Sequence, residues 1–304
     1  MRPLVTTFSS WARRSAVSFV AAAAMATPCF ATPFFFSTGN VDGRIGTASR
    51  PDSPAGIEIE SADDFVLTNP TTLTQATFIG LLPSGLPLAS ISQIVVEIYR
   101  VFPNDSNVGR TSGPPTFSTD RVPTRVNSPS DVEVVGRDSG VSGELSFSAS
   151  VLSPSFTVAN SVVNGINPLP NVLTMGEGPV TGEEVQFTVN FLDPITLPAD
   201  HYFFVPQVLL SSGNFLWLSS IRPIVSPGTP FPPGFTDLQS WIRNENLAPD
   251  WLRIGTDIVG GTTFNAAFTL TGTVPEPSTL LLITVACFAL IGGRRPTRTA
   301  IPSP

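Results

Sequence analysis

Leu145-Ser146-Phe147-Ser148-Ala149-Ser150-Val151 puts an apolar residue at every odd position and a serine at every even one. Successive side chains of an extended chain point to opposite faces, so this period of two describes a strand with one face in a core and the other in water. Val185-Gln186-Phe187-Thr188-Val189-Asn190-Phe191 repeats it, and Phe264-Asn265-Ala266-Ala267-Phe268-Thr269-Leu270 nearly does. Further out, Ile91 to Phe102, Tyr202 to Leu210 and Phe215 to Ile221 are apolar on both faces and suit interior strands, while Ile57 to Leu67 and Leu73 to Leu82 carry a fainter strand pattern. Asn69-Pro70, Pro83-Ser84-Gly85 and Asp193-Pro194 read as breakers between them. The expected fold is all-β, a jelly-roll-like antiparallel β-sandwich of about nine or ten strands. One short helix is expected over Asp237 to Glu245, where Leu238, Trp241, Ile242 and Glu245 fall at helical spacing and Thr236 or Asp237 can cap it. Two long connections, Pro103 to Gly143 and Arg222 to Thr236, are rich in Pro, Ser and Gly and suit binding loops or irregular coil.

Composition narrows the chemistry. The chain has 304 residues, 41% of them hydrophobic and 13% charged, enough apolar surface for a core and too little charge for a disordered chain. All 16 basic residues are Arg, His201 is the only histidine, and there are two cysteines, Cys29 and Cys287. A chain without Lys has no phosphate-loop lysine and forms no Schiff base, and one His with two Cys does not make a conventional zinc site. Between residues 32 and 273 stand 22 acidic residues and 10 Arg, so this body carries about −12 where the whole chain carries −7. Such a body repels nucleic acid and anionic headgroups, whose binding depends on cationic contacts.

Candidate sites are correspondingly few. His201 enters an apolar strand and no Gly-x-Ser-x-Gly elbow exists, so it reads as a strand-end histidine bonded to backbone, with Asp200 on the opposite face. Glu58, Glu60, Asp63, Asp64, Glu183 and Glu184 supply the carboxylates that a glycoside hydrolase needs, yet acidic residues at strand ends are commonly solvated. No catalytic residue is therefore assigned, and a non-enzymatic body is expected. Asp42 in Asn40-Val41-Asp42-Gly43 and Asp105 in Asn104-Asp105-Ser106-Asn107 offer oxygen ligands for calcium, although turn formation explains both without an ion, and no other cofactor is expected. Met175 to Thr181 is a glycine-rich turn. Trp241 and Trp251 are candidates for stacking on sugar rings, against the usual use of Trp as core filler. Thr262, Thr263, Thr269 and Thr271 form a short threonine set, the feature an ice-binding reading would need.

Both ends read as addresses. Arg13 and Arg14 precede the short apolar run Ser15 to Ala26, and small residues follow, so residues 1–31 are expected to be a signal peptide cleaved after Ala31. At the other end Val274-Pro275-Glu276-Pro277-Ser278 leads into an uncharged span from Pro277 to Gly293, closed by Arg294, Arg295 and Arg298. That span would measure about 26 Å as a helix, the lower limit for crossing a bilayer. The arginines stop transfer and keep the body on the far side of the membrane.

Pro-Glu-Pro, a short leucine-rich span and an Arg cluster together resemble the sorting tail of PEP-CTERM proteins, over about the last 30 residues. The resemblance implies an exosortase partner, cleavage near the Pro-Glu-Pro, and a Gram-negative cell that makes extracellular polysaccharide. Pro275 and Pro277 hold the segment extended and open to a membrane protease. The expected organisation is signal peptide 1–31, an extracytoplasmic body 32–273 of one large sandwich or two smaller ones, tail 274–298 and cytoplasmic extension 299–304. The expected protein is exported, tethered at the inner membrane, then placed at the cell surface or in the exopolysaccharide matrix as a structural, adhesive or glycan-binding module. A secreted carbohydrate-active hydrolase is the alternative, and ice binding stands behind it.

Overall fold

A computed structural model describes residues 31–275 apart from 55, 222–236 and 262. The expected signal peptide up to residue 30 and the sorting tail from Glu276 onward lie outside the described residues. Among the described residues, no helix is long and apolar enough to cross a membrane.

Residues 33–274 form one unit built on two sheets. The larger sheet contains β1 (Thr32–Ser37), β2 (Val41–Ala48), β4 (Thr71–Pro83), β7 (Leu145–Val158), β8 (Asn160–Val162), β9 (Val180–Leu197), β11 (Leu216–Ser220) and β14 (Phe268–Val274). Its order runs β1-β14-β4-β11-β2-β8, while the opposite edge of β4 carries β9, and β9 carries β7. The smaller sheet contains β3 (Ile59–Leu67), β5 (Ile91–Arg100), β6 (Val135–Asp138), β10 (Asp200–Leu210), β12 (Trp241–Asn244) and β13 (Leu252–Arg253), in the order β13-β12-β3-β10-β5-β6. The ladders that join β4 to β9, β11 and β14, β9 to β7, β2 to β11, and the successive strands of the smaller sheet are antiparallel, and β2 pairs with β8 in parallel.

The alternating strands place their apolar side chains between the sheets. Phe78 and Phe187 stack at 4.9 Å, Phe204 and Phe268 at 5.1 Å, and Phe215 meets Phe187 edge-on at 5.3 Å. This aromatic filling presses close to the backbone: a Cβ at Gly80 would lie 2.0 Å from the Phe215 ring, so only glycine fits there. Trp217 belongs to the same core and donates its Nε1–H to the Ala267 carbonyl at 3.1 Å.

Three expectations change. The segment from Asp237 to Glu245 is not a helix; it contains β12, in which Trp241 pairs with Ala62 and Arg243 with Glu60. Trp241 packs with Leu238, Tyr99, Phe203 and Trp251 on one side of the sheet, while its neighbour Ile242 packs with Ile45, Ile59 and Leu252 on the other. Adjacent residues buried on opposite faces require a period of two, so tertiary burial overrides helical spacing. Helical turns occur instead at Leu88–Ser90, Val108–Arg110 and Ile254–Val259. Strands number fourteen among the described residues rather than nine or ten, because β1, β2, β6, β8, β12 and β13 are short or lack clean alternation. Asp193-Pro194 does not end its strand: β9 runs through it to Leu197, with a bulge opposite Leu73 and Gln75 that spares the missing proline N–H.

The connection after β5 is ordered covering rather than an open loop. Residues 103–134 lie over the outer side of the smaller sheet, held by Arg125, whose side chain is fully buried. Its guanidinium bonds Asp250 at 2.9 Å and Asp131 at 2.7 Å, and Arg110 pairs with the same two carboxylates. Arg121 Nη1 adds bonds to the carbonyls of Asn246 and Leu247. The second long connection, 222–236, lies outside the described residues.

Candidate functional site

The residues singled out as sugar-stacking candidates are interior. Trp241 is 1% exposed and Trp251 0%, so neither offers a ring to a ligand. Trp251 donates to the Ser130 carbonyl at 3.0 Å, and the Arg243 guanidinium sits 4.3 Å above its ring. The calcium candidates serve turns: Asp42 accepts from the Arg44 amide at 3.0 Å and from the Ser219 hydroxyl, and Asp105, with positive φ, faces Arg100 at 3.7 Å. Neither joins a group of three His, Cys, Asp or Glu residues placed to hold a metal among the described residues.

Glu58, Glu60, Asp63 and Asp64 gather in two places on or beside β3, while Glu183 and Glu184 stand apart on β9, opposite Leu82 and Leu81 of β4. Glu60 is clamped by Arg243 and accepts the Tyr99 hydroxyl at 2.7 Å, which also lies 2.9 Å from Glu97. Burial, and next the Glu60 charge, push Glu97 up to about 8. Glu58 bonds Gln207 beside this group. Asp63 and Asp64 are buried outright, raised well above the usual carboxylate range by desolvation and, among nearby charges, by Asp237. The His201 ring meets a buried side chain. Its Nε2 lies 2.5 Å from Asp64, and burial lowers the imidazole to about 4. Burial disfavours the charged form of both partners in this contact. Asp63 has both oxygens occupied, accepting from Ser240 Oγ and the Ala266 amide, whereas Asp64 Oδ1 is buried without a hydrogen-bond partner. These clusters hold strands and the chain around 237–266 together; Glu60, Asp63 and Asp64 are sealed from any polymeric substrate.

The solvent face of the larger sheet is different. The ladder registers line up Ser146 (β7), Asn190 (β9), Gln75 (β4) and Thr271 (β14) in one row, and Ser148, Thr188, Thr77 and Thr269 in the next. Thr196, Thr72 and Thr273 extend the array on one side; on the other, Ser150 and Gln186 lead to Ile79, where the face turns apolar and packs against the cluster of Leu81 and Leu216. Every one of these side chains alternates with a core residue, so all point away from the aromatic filling. The array carries no charged residue, within a body of about −12. Neighbours are already bonded across strands: Thr77 to Thr269 at 2.6 Å, Gln75 Nε2 to Asn190 at 2.9 Å and Thr72 to Thr196 at 3.0 Å. Strands about 4.8 Å apart make four of them a platform about 14 Å across.

One aromatic borders it. Phe34 and Phe36 of β1 pack into the core, so Phe35 faces outward beside β14, 69% exposed and alone among aromatics in that degree of exposure in the described residues. An exposed ring next to bonded hydroxyls and amides is chemically a surface for uncharged, hydroxyl-rich ligands: the ring covers C–H faces, and the Ser, Thr, Asn and Gln groups both donate and accept. Sequence reading missed this site because its residues come from five strands distant in the chain; only the exact registers collect them. The alternating serines of β7 and the pair Thr269 and Thr271 of β14 were its visible signals.

In comparison with known proteins, no family model matches the chain, and neither a curated protein nor a solved structure matches it.

Proposed function

We propose that this chain, a sandwich of the jelly-roll-like kind, is an exported, non-enzymatic protein that binds a neutral polysaccharide through the Ser/Thr/amide face and Phe35. The observation that carries the reading is the uncharged, preformed polar platform in an otherwise acidic body, flanked by the exposed ring. A charged polymer has no partner on it, since an anion finds no cation there and a polycation would be drawn to the acidic remainder instead. The PEP-CTERM-like tail supports the setting: recognition by an exosortase, an inner-membrane tether and then a place at the cell surface or in an exopolysaccharide matrix. A hydrolase reading is disfavoured by the closed geometry of Glu60, Asp63 and Asp64. Ice binding would need a flat, uniform threonine lattice, whereas Gln75, Gln186 and Asn190 project unequal side chains through this one.

Binding of the full-length protein to a panel of neutral and acidic polysaccharides, read by affinity electrophoresis, tests the reading. Retardation is expected on a neutral polymer, weakened about tenfold by Phe35→Ala and by Thr188→Glu, which places a charge at the centre of the platform. Retardation on acidic polymers alone, or equal binding by both variants, would refute it.

A further inference from the structure

Five strands have no strand on their outer edge among the described residues, and four of them are protected; the end of β7 comes beside β2, where the Ala159 amide donates to the Gly43 carbonyl at 2.9 Å, so its open edge is the stretch before it. β8 has three residues and β13 two; β6 has four and carries Arg137 and Asp138; β1 has six and carries Pro33. Short length, charge and proline are the ordinary means by which a sheet edge avoids pairing with another chain. β7 has none of the first two: it spans 14 residues without a single charge, and its proline, Pro154, lies beyond the regular stretch Leu145–Val151, past a register shift at Val151 and Ser153. Along that stretch Phe147 and Ala149 are only half-buried and Val151 is 44% exposed, because the sheet stops there.

We infer that β7 pairs antiparallel with β7 of a second copy, joining the two larger sheets edge to edge. The occupant is fixed by self-complementarity. A two-fold axis at Ser148 keeps all seven regular residues paired: Leu145 of one copy meets Val151 of the other, Ser146 meets Ser150, Phe147 meets Ala149, and Ser148 meets itself. Directly opposite residues of an antiparallel pair share a face, so every serine stays on the solvent side and every apolar residue on the core side. The large Phe147 falls against the small Ala149 in both halves. A one-residue slip would set serine against the apolar face and is rejected. The seam carries no charge, so two bodies of about −12 meet where their repulsion is least, and association strengthens as salt screens the remainder. In the paired form the serine rows continue across the axis into the partner's rows. This inference stands on edge geometry and holds whatever the platform binds.

Disulfide trapping in the full-length chain, with Cys29 and Cys287 replaced by serine, tests both contact and register. Ser148→Cys is expected to give a disulfide-linked dimer on mild oxidation, since the two positions face each other at the axis. Ser155→Cys, exposed on the same strand but displaced from the axis, is expected to give none. Ala149→Pro in the Ser148→Cys background should cut the trapped fraction about tenfold by removing a ladder donor. Ser148→Lys, on the solvent face, should keep the β-sheet circular dichroism of the parent while shifting the sedimenting species to monomer, with a melting temperature that no longer rises with protein concentration. A protein that sediments as monomer at every concentration and salt, or that cross-links equally through positions 148 and 155, would overturn the inference.

Discussion

Glu97 shows how one side chain records its surroundings. It sits on the covered side of the smaller sheet, near the Arg243-clamped Glu60, and its folded pKa of about 8 lies above the ordinary 4.5. A carboxyl raised on folding binds its proton more tightly in the native state, so stability falls as pH rises from about 4.5 to about 8. Glu97→Gln keeps an acceptor for the Tyr99 hydroxyl and removes the charge. The expected outcome is a melting temperature that declines less between pH 5 and 8 than in the parent, checked by calorimetry across buffers; an unchanged slope would contradict the assignment. Trp241 makes a different point at this scale: its type was readable as a sugar platform or core filler, and neighbours contributed by β3, β5 and β10 settled it as filler.

The element whose behaviour depends most on a few contacts is the 103–134 covering. It lacks strand pairing for most of its length and is held by Arg125 between Asp131 and Asp250. Burial pushes Asp131 up, but the hydrogen bonds from Arg110 and Arg125 outweigh it and hold it at about 2. Removing the arginine leaves Asp131 and Asp250 to pair with Arg110 alone, so Arg125→Ala is expected to cost about 3 kcal/mol, the low end of the range for breaking a buried pair from one side. Equilibrium denaturation measures it, and protease cleavage within 103–134 should rise with it, since the covering would detach first. A variant as stable and as resistant as the parent would show that the covering is held otherwise. At this level the alternating strands β7 and β9 were legible because half-burial writes itself into sequence as a period of two. β12 was not legible: Leu238, Trp241 and Ile242 fit a helix equally well until the sheet and the covering bury opposite sides of it.

For the whole molecule, the proposed sequence of events is export, tethering and release. Mass spectrometry of the extracellular fraction is expected to find peptides ending near Pro275 to Ser278 and none containing Cys287 or Arg295. Recovery of those residues outside the cell would mean that the tail is kept. Charge separates the parts in the same sense, with six arginines in the ends and a body of about −12 between them.

The sequence by itself determined the all-β class and the absence of lysine chemistry, because these depend on local alternation and composition; its contiguous end motifs carry the proposal of export and sorting. Only the tertiary structure decided which carboxylates are sealed, that Trp241 and Trp251 are interior, and that Ser146, Ser148, Gln75, Thr77, Thr188, Asn190, Thr269 and Thr271 share one face. Those are properties of strand register and of what covers each sheet. Both are set by long-range packing of an aromatic core, which no local pattern in the chain encodes.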